Sequence, residues 1–147
     1  MKILICNDKN WLFSDEAFSI YSACIYQPTY EKYKEQMERF ISNPSVKIFV
    51  CESKSIKEGM FILEQSGAVP EIIAIAVSNK RRHHGIGRKM IFQVMKSQQL
   101  DRIQAQTDDD AIGFYRKCGF TEERVLKEFP DGVSVRYLCE LRKDRQA

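Results

Sequence analysis

Two periods alternate along this chain. Short apolar, β-branched runs are separated by stretches whose apolar positions recur three and four apart, the spacing of one helix face. Lys2–Cys6 predicts a short first strand. Asp15 caps a predicted helix in which Phe18, Tyr21 and Ile25 share a face, and Pro28 interrupts it. A second helix carries Tyr33, Met37, Phe40 and Ile41 and ends near Asn43 and Pro44. Val46–Glu52 and Gly59–Glu64 read as strands, with Ser66 and Gly67 as a turn beside the second. Glu71–Val77 is a continuous strand of the fully buried kind. From Gly85 a helix sets Ile86, Met90, Ile91 and Val94 on one face, and Arg102–Thr107 is the next strand. Asp108 or Asp109 caps a helix with Ala111, Phe114, Tyr115 and Cys118 at i, i+3, i+4 and i+7. Gly119 falls where a helix ends on a left-handed residue. Two last strands, Glu122–Phe129 and Val133–Glu140, flank the turn Pro130-Asp131-Gly132. The order is β-α-α-β-β-β-α-β-α-β-β, an α/β fold with a mixed sheet and helices on its faces.

Composition narrows the class. The chain has 147 residues, which predicts one domain over 1–147, and 44% hydrophobic residues, enough for a core without disulfides or metal. The net charge of +3 suits an anionic small ligand and is low for a nucleic-acid protein. The longest strictly apolar run, Ile72–Val77, is far short of the ~20 residues that span a bilayer. The apolar start Ile3–Cys6 is too short for a signal peptide. Five cysteines, at 6, 24, 51, 118 and 139, are odd in number and form no Cys-x-x-Cys pair. A cytoplasmic location is the expectation.

The chemistry concentrates in Glu71–Gly87, where a buried strand runs into a basic loop and two glycines open a helix. Gly85 and Gly87 lack a Cβ, so a ligand can approach the backbone closely. The first N–H groups of a helix have no intrahelical partner and carry the positive end of its dipole, a ready anion site. Lys80, Arg81, Arg82, Arg88 and Lys89 surround it with positive charge. A polyphosphate ligand follows from physics alone. A Walker loop is absent, because no Gly-Lys-Ser/Thr opens the helix. A dinucleotide fingerprint fails at its third glycine, where Met90 stands, although Asp108 lies at about the distance of a ribose-binding acid. A nucleic-acid patch would want aromatics interleaved with Lys80–Arg82, and there are none.

Arg82-His83-His84-Gly85-Ile86-Gly87 resembles the Arg/Gln-x-x-Gly-x-Gly/Ala signature of the GCN5-related N-acetyltransferases, the GNAT family. Ala111–Phe120 resembles that family's second hallmark, Ala-x-x-Phe-Tyr-x-x-x-Gly-Phe. The resemblance is specific from Glu71 to Phe120 and loose before that. It implies a GNAT-like, mostly antiparallel twisted sheet with helices on both faces. It also implies acetyl-CoA as acetyl donor, no metal, and acetyl transfer to a primary amine by direct attack in a ternary complex. On this reading the pyrophosphate rests on Arg82, His83, His84, Gly85, Ile86, Gly87 and Arg88. The strand Ile72–Val77 parts from its neighbour at a β-bulge, and freed amides of Ile75 or Val77 meet the pantetheine arm and polarise the thioester carbonyl.

Tyr115 matches the family's general acid, a phenol protonated at neutral pH that gives its proton to the leaving thiolate. Its other reading is a core aromatic on a helix face. Glu71, eleven residues before Arg82, matches the position where some members carry a catalytic base. Its other reading is an exposed strand-end acid, and Glu64 is a weaker candidate. His83 and His84 have the pKa of a base but the position of phosphate contacts. Asp108 departs from the family pattern, which places an Asn there to contact the CoA arm; an Asp keeps the capping oxygen and loses the amide donor. The acceptor, a small-molecule or peptide amine, would be shaped by Phe13–Ile41, with Tyr21, Tyr26, Tyr30 and Tyr33. No nucleic-acid or membrane partner is expected, and a homodimer is a common assembly in the family. A non-catalytic CoA-binding regulatory module is the rival reading.

Overall fold

The computed structural model describes residues 1–145. Seven strands form one sheet: β1 (Lys2–Ile5), β2 (Val46–Ser53), β3 (Ile56–Glu64), β4 (Glu71–Val77), β5 (Arg102–Thr107), β6 (Thr121–Phe129) and β7 (Gly132–Arg142). Their order across the sheet is β1-β2-β3-β4-β5-β7-β6. Every neighbouring pair is antiparallel except β4 and β5. The helices are α1 (Lys9–Leu12), α2 (Asp15–Tyr21), α3 (Tyr30–Ser42), α4 (Ile86–Ser97) and α5 (Ile112–Lys117). The expected mixed sheet with helices on both faces is therefore present.

Alternation along the central strands sends side chains into two cores, one on each face. On one face Phe61 and Leu63 of β3 and Ile72 of β4 pack with Met90, Ile91 and Val94 of α4 and Tyr115 of α5. On the other, Met60, Ile62 and Ala76 pack with Leu12, Ala17, Ile20, Tyr33 and Met37 from α1–α3. This explains the continuous apolar reading of β4, which meets a core on each face, but only Ile72 and Ala76 are buried and the rest of the strand is half-buried.

Three local differences from the sequence reading have local causes. Ser14, one residue before Asp15, caps α2 by accepting the amide of Ala17, and Asp15 becomes the first helical residue. That helix stops at Tyr21, continues as a 3₁₀ turn over Ser22–Cys24, and leaves Ile25 extended. The four-residue α1 has no periodic signal of its own. It is held by its cap Asp8 and by the Trp11 indole, which donates to Glu16 at 2.9 Å. The C-terminal stop of α5 falls as expected: Gly119 has φ 94°, its N–H donates to Arg116 O, and Phe120 N–H donates to Tyr115 O.

Candidate active site

β4 and β5 pair over only two residues, Glu71 with Gln104 and Ile72 with Ala105, and then part. On its other edge β4 steps out of register with β3: Leu63 pairs Ile72 and Ile62 pairs Ala74, which leaves Ile73 as the extra residue of a bulge. Parting and bulge lie side by side, so β4 bends away where a cleft of about 950 Å³ opens. Beyond the parting, the backbone of β4 that faces β5 has no strand partner. The Ile75 carbonyl instead accepts the Cys24 thiol at 3.4 Å, and the Val77 carbonyl accepts Arg82 Nε at 3.2 Å. In an antiparallel strand a residue's N–H and C=O leave on the same side, so the amides of Ile75 and Val77 face the opening too.

The basic loop closes one end of this cleft. Arg81 is held by Glu58, whose carboxylate is buried and lies 2.9 Å from its guanidinium, and Ser78 N–H donates to the Glu58 carbonyl. Gly85 is the N-cap of α4 with φ 73°, and no side chain caps that helix start. The first amides of α4 are thus left to a ligand. At Gly87 a Cβ would meet the Phe114 ring at 2.9 Å and Ile75 Cδ1 at 3.7 Å. The sequence explains this glycine by close approach of a ligand; the structure adds that α4 sits against the α5 aromatic with no room for a side chain.

Tyr115 lies in the cleft wall and is 7% exposed. Its ring stacks edge-on with Phe114 and Phe120, each with centroids 5.1 Å away. Its hydroxyl has no partner among the described residues. Burial, then the Cys139, Cys24 and Cys118 thiols, push the phenol far above its ordinary value, so it stays protonated. Part of Cys24 is open to the cleft, yet burial still pushes its thiol up to about 11, against the lowering effects of the Ile75 backbone and Arg82. Burial lifts Cys118, also in the wall, to about 11 as well.

Of the residues singled out by sequence, Ile75, Val77, Arg82, His83, Gly85, Ile86, Gly87, Arg88, Asp108 and Tyr115 line the cleft. His84 lies on the same loop but outside the wall, and so does Glu71, two residues before Ile73, the first β4 residue in it. Glu71 pairs across the strands with Glu64 and takes a long hydrogen bond from Gln104 Nε2 at 3.4 Å. Burial first, then Glu64, raise its pKa. Asp108 Oδ1 accepts the amides of Asp110 and Ala111, each at 3.1 Å, so its carboxylate is engaged at the turn into α5. Of the four N-terminal tyrosines only Tyr21 reaches the cleft, donating to Gln36 Oε1 at 3.0 Å. Tyr33 is fully buried, Tyr30 donates to the Phe13 carbonyl, and Tyr26 is exposed. Cys24, Gln36, Phe40 and Arg136 also line the cleft and carry no motif in the sequence. Cys24 meets Ile75 across 51 positions, a distance that local periodicity does not reach.

A parted parallel pair, a bulged strand and a basic loop feeding an uncapped helix together define a class of proteins that grip a phosphorylated ligand in the middle of a mixed sheet. The sequence profile of the acetyltransferase (GNAT) domain matches residues 44–122, more than half of the chain. The chain belongs to that family and is an acetyltransferase. Solved structures share the fold. A Streptococcus mutans protein is 21% identical, with a TM-score of 0.71 over 97% of this chain and 99% of its own. The ribosomal-protein-S18-alanine N-acetyltransferase of Escherichia coli is 13% identical, with a TM-score of 0.69 over 96% and 92%. A GNAT family acetyltransferase of Elizabethkingia anophelis with acetyl-CoA bound is 16% identical, with a TM-score of 0.68 over 96% and 97%. No curated protein matches the chain. Among the described residues no helix is long and apolar enough to cross a membrane.

Proposed function

We propose that this chain, as one domain over 1–147, transfers an acetyl group from acetyl-CoA to a primary amine by direct attack in a ternary complex. The observation that carries this reading is one cleft holding the uncapped start of α4, the unpaired edge of β4 and the partnerless Tyr115 hydroxyl. When bound, acetyl-CoA supplies the activated thioester. The residues fit it: Arg82, His83, Arg88 and the amides of Gly85–Gly87 offer a cradle for pyrophosphate, and the absent side chain at Gly87 keeps α4 close. The amides of Ile75 and Val77 orient the arm and place donors where negative charge develops on the carbonyl oxygen. Tyr115, held neutral by burial, has a proton to give to the leaving sulfur. Cys24 and Cys118 are held as thiols near pKa 11, which makes them poor nucleophiles at neutral pH and favours direct transfer over an acetylated enzyme.

Glu71 is the proposed base. From its place outside the wall it would take the ammonium proton through water rather than by contact. The test of the whole reading is a thermal-shift titration with acetyl-CoA beside NAD and a nucleic-acid oligomer. Acetyl-CoA at ~100 times its dissociation constant should raise stability by about 2.7 kcal/mol, and amines should then release free thiol from it. A shift with NAD or the oligomer, and none with acetyl-CoA, would overturn it. Acetyl-CoA binding without thiol release from any amine would favour the non-catalytic binding module.

A further inference from the structure

The acceptor end of the cleft has a chemistry of its own. Along β7, Val135, Tyr137, Cys139 and Leu141 turn toward α4 and α5 and pack in that core. Arg136, by alternation, leaves the strand on the opposite face, the face on which α2 and α3 supply Tyr21, Gln36 and Phe40 to the cleft. Gln106 of β5 lines the cleft from this same face, its neighbours Ala105 and Thr107 being buried. Arg136 is half-buried, and among the described residues nothing pairs with it.

The other arginines of the cleft differ. Arg81 is bound by Glu58, Arg82 donates to the Val77 carbonyl, and Arg88 lies over the Phe92 ring at 5.0 Å. All three belong to the loop and helix start that the cofactor reading occupies. Arg136 instead lies on β7, one register step beyond the Thr107–Tyr137 pair and so beside Asp108, and no described carboxylate forms an ion pair with it. A partly desolvated guanidinium without a counter-charge is unfavourable, and its planar fork matches a carboxylate or phosphate. Elsewhere the acceptor end is neutral: Tyr21 is spent on Gln36, and Cys24, Phe40 and Ile73 are apolar or weakly polar. The only carboxylate lining the described cleft is Asp108, engaged by two backbone amides. Asp108, beside Arg136, is therefore the single described carboxylate of the cleft that could meet the second positive charge of a polyamine.

We infer that Arg136 binds the acceptor, and that the acceptor is an amine carrying an anionic group, a carboxylate foremost, on a partly apolar body. The amine itself rests on the acetyl-transfer reading; the anion rests on Arg136 alone. Arg136 is thus a specificity-determining residue, one that selects and orients the amine rather than moving protons.

The test uses matched amines with and without the anion: phenylalanine against phenethylamine, and O-phosphoethanolamine against ethanolamine, with spermidine as the polycation. Binding is measured to the protein alone and saturated with CoA, and turnover by thiol release, in wild type, Arg136→Gln and Arg136→Lys. The expected result is preference for the anionic member of at least one pair. Arg136→Gln should lower kcat/KM for that member about 10- to 100-fold more than for its anion-free partner, the range of a charge-assisted hydrogen bond. Arg136→Lys should restore part of the loss, since an ammonium keeps the charge and loses the fork. Acetyl-CoA affinity should not change in either variant. Preference for the anion-free member of both pairs, preference for spermidine, equal losses on both members of every pair, or no Arg136-dependent binding across the panel would overturn the inference. So would a fall in acetyl-CoA affinity, which would hand Arg136 to the cofactor. Arg136-dependent binding of an anionic amine by a protein that does not bind acetyl-CoA would sink acetyl transfer and leave this inference standing.

Discussion

The two halves of the sheet, divided where β4 parts from β5, are built differently. β2, β3 and β4 are clad on both faces, by α4 and α5 on one side and α1–α3 on the other, and most of β3 is fully buried. β5 and β7 are clad on one face, and β6 beyond them is open on both. The other face of β5 and β7 presents Gln104, Gln106, Arg136, Leu138 and Glu140, and β6 is exposed at every residue but Val125. The first half has the apolar contacts that make a fold stable. The second holds its inner face against α4 and α5 and leaves the outer face to solvent and ligand. The seam between them is where both kinds of surface meet, and the cleft is there.

Tyr115 sharpens this division most, because it is a core residue on three sides and a cleft residue on the fourth. Tyr115→Phe removes a hydroxyl with no partner among the described residues, so the melting temperature should hold. As the proposed general acid its loss should lower kcat by about 10²–10⁴ while acetyl-CoA affinity holds. A Phe variant as active as wild type would return Tyr115 to the core alone. Phe61→Ala and Leu126→Ala then test the halves against each other by chemical denaturation. Phe61 is 0% exposed and meets Phe49 edge-on at 6.0 Å; its truncation should cost about 3–5 kcal/mol. Leu126 is 71% exposed on β6, and its truncation should stay within about 0.5 kcal/mol. Similar losses at both sites would mean that the outer half is covered in solution.

Gly87 lies on the seam from the other side. A valine there would drive into Phe114 and Ile75, an overpacking worth about 1–3 kcal/mol, and displace the start of α4 from β4. Acetyl-CoA binding should be lost with it, as read by titration calorimetry, and unchanged affinity would separate the helix start from the cofactor.

Gly87 also marks how far sequence reaches. The bounds of β4 and β5 follow from apolar runs and turn signals, and α4 from its periodicity and the glycines before it, because those signals are local. The two motifs mark the proposed cofactor half of the site for the same reason: loop, glycine and helix start are contiguous in the chain. The proposed acceptor half draws on α2, α3, β5 and β7, each contributing a residue that lines the cleft only in their company. Cys24 reads as a small hydrophobe until Ile75 is beside it. Arg136 reads as one basic residue among 23 until the strand's alternation turns it away from the core. The bulge at Ile73 is likewise a matter of register between two strands.

The smallest expected effect belongs to Glu71, at the base of the seam, where the two halves still pair. Burial and Glu64 raise its pKa above the ordinary 4.5, so the folded protein holds this proton more tightly than the unfolded chain. Stability tied to Glu71 is therefore fully present below pH 4.5 and lost as pH rises through the higher folded value. At neutral pH the ionised carboxylate is a small cost. Glu71→Gln, which cannot ionise, should melt slightly above wild type at pH 7, and the gap should close as pH falls below 4.5. The same variant tests the proposed base: the acidic limb of the pH–rate profile should flatten. A melting gap that closes in acid beside an unaltered rate profile would make Glu71 a strand-end acid and leave deprotonation to solvent. A flattened profile with no melting gap would mean that the carboxylate is better hydrated than its place between Glu64 and Gln104 implies, and reaches the amine through that water.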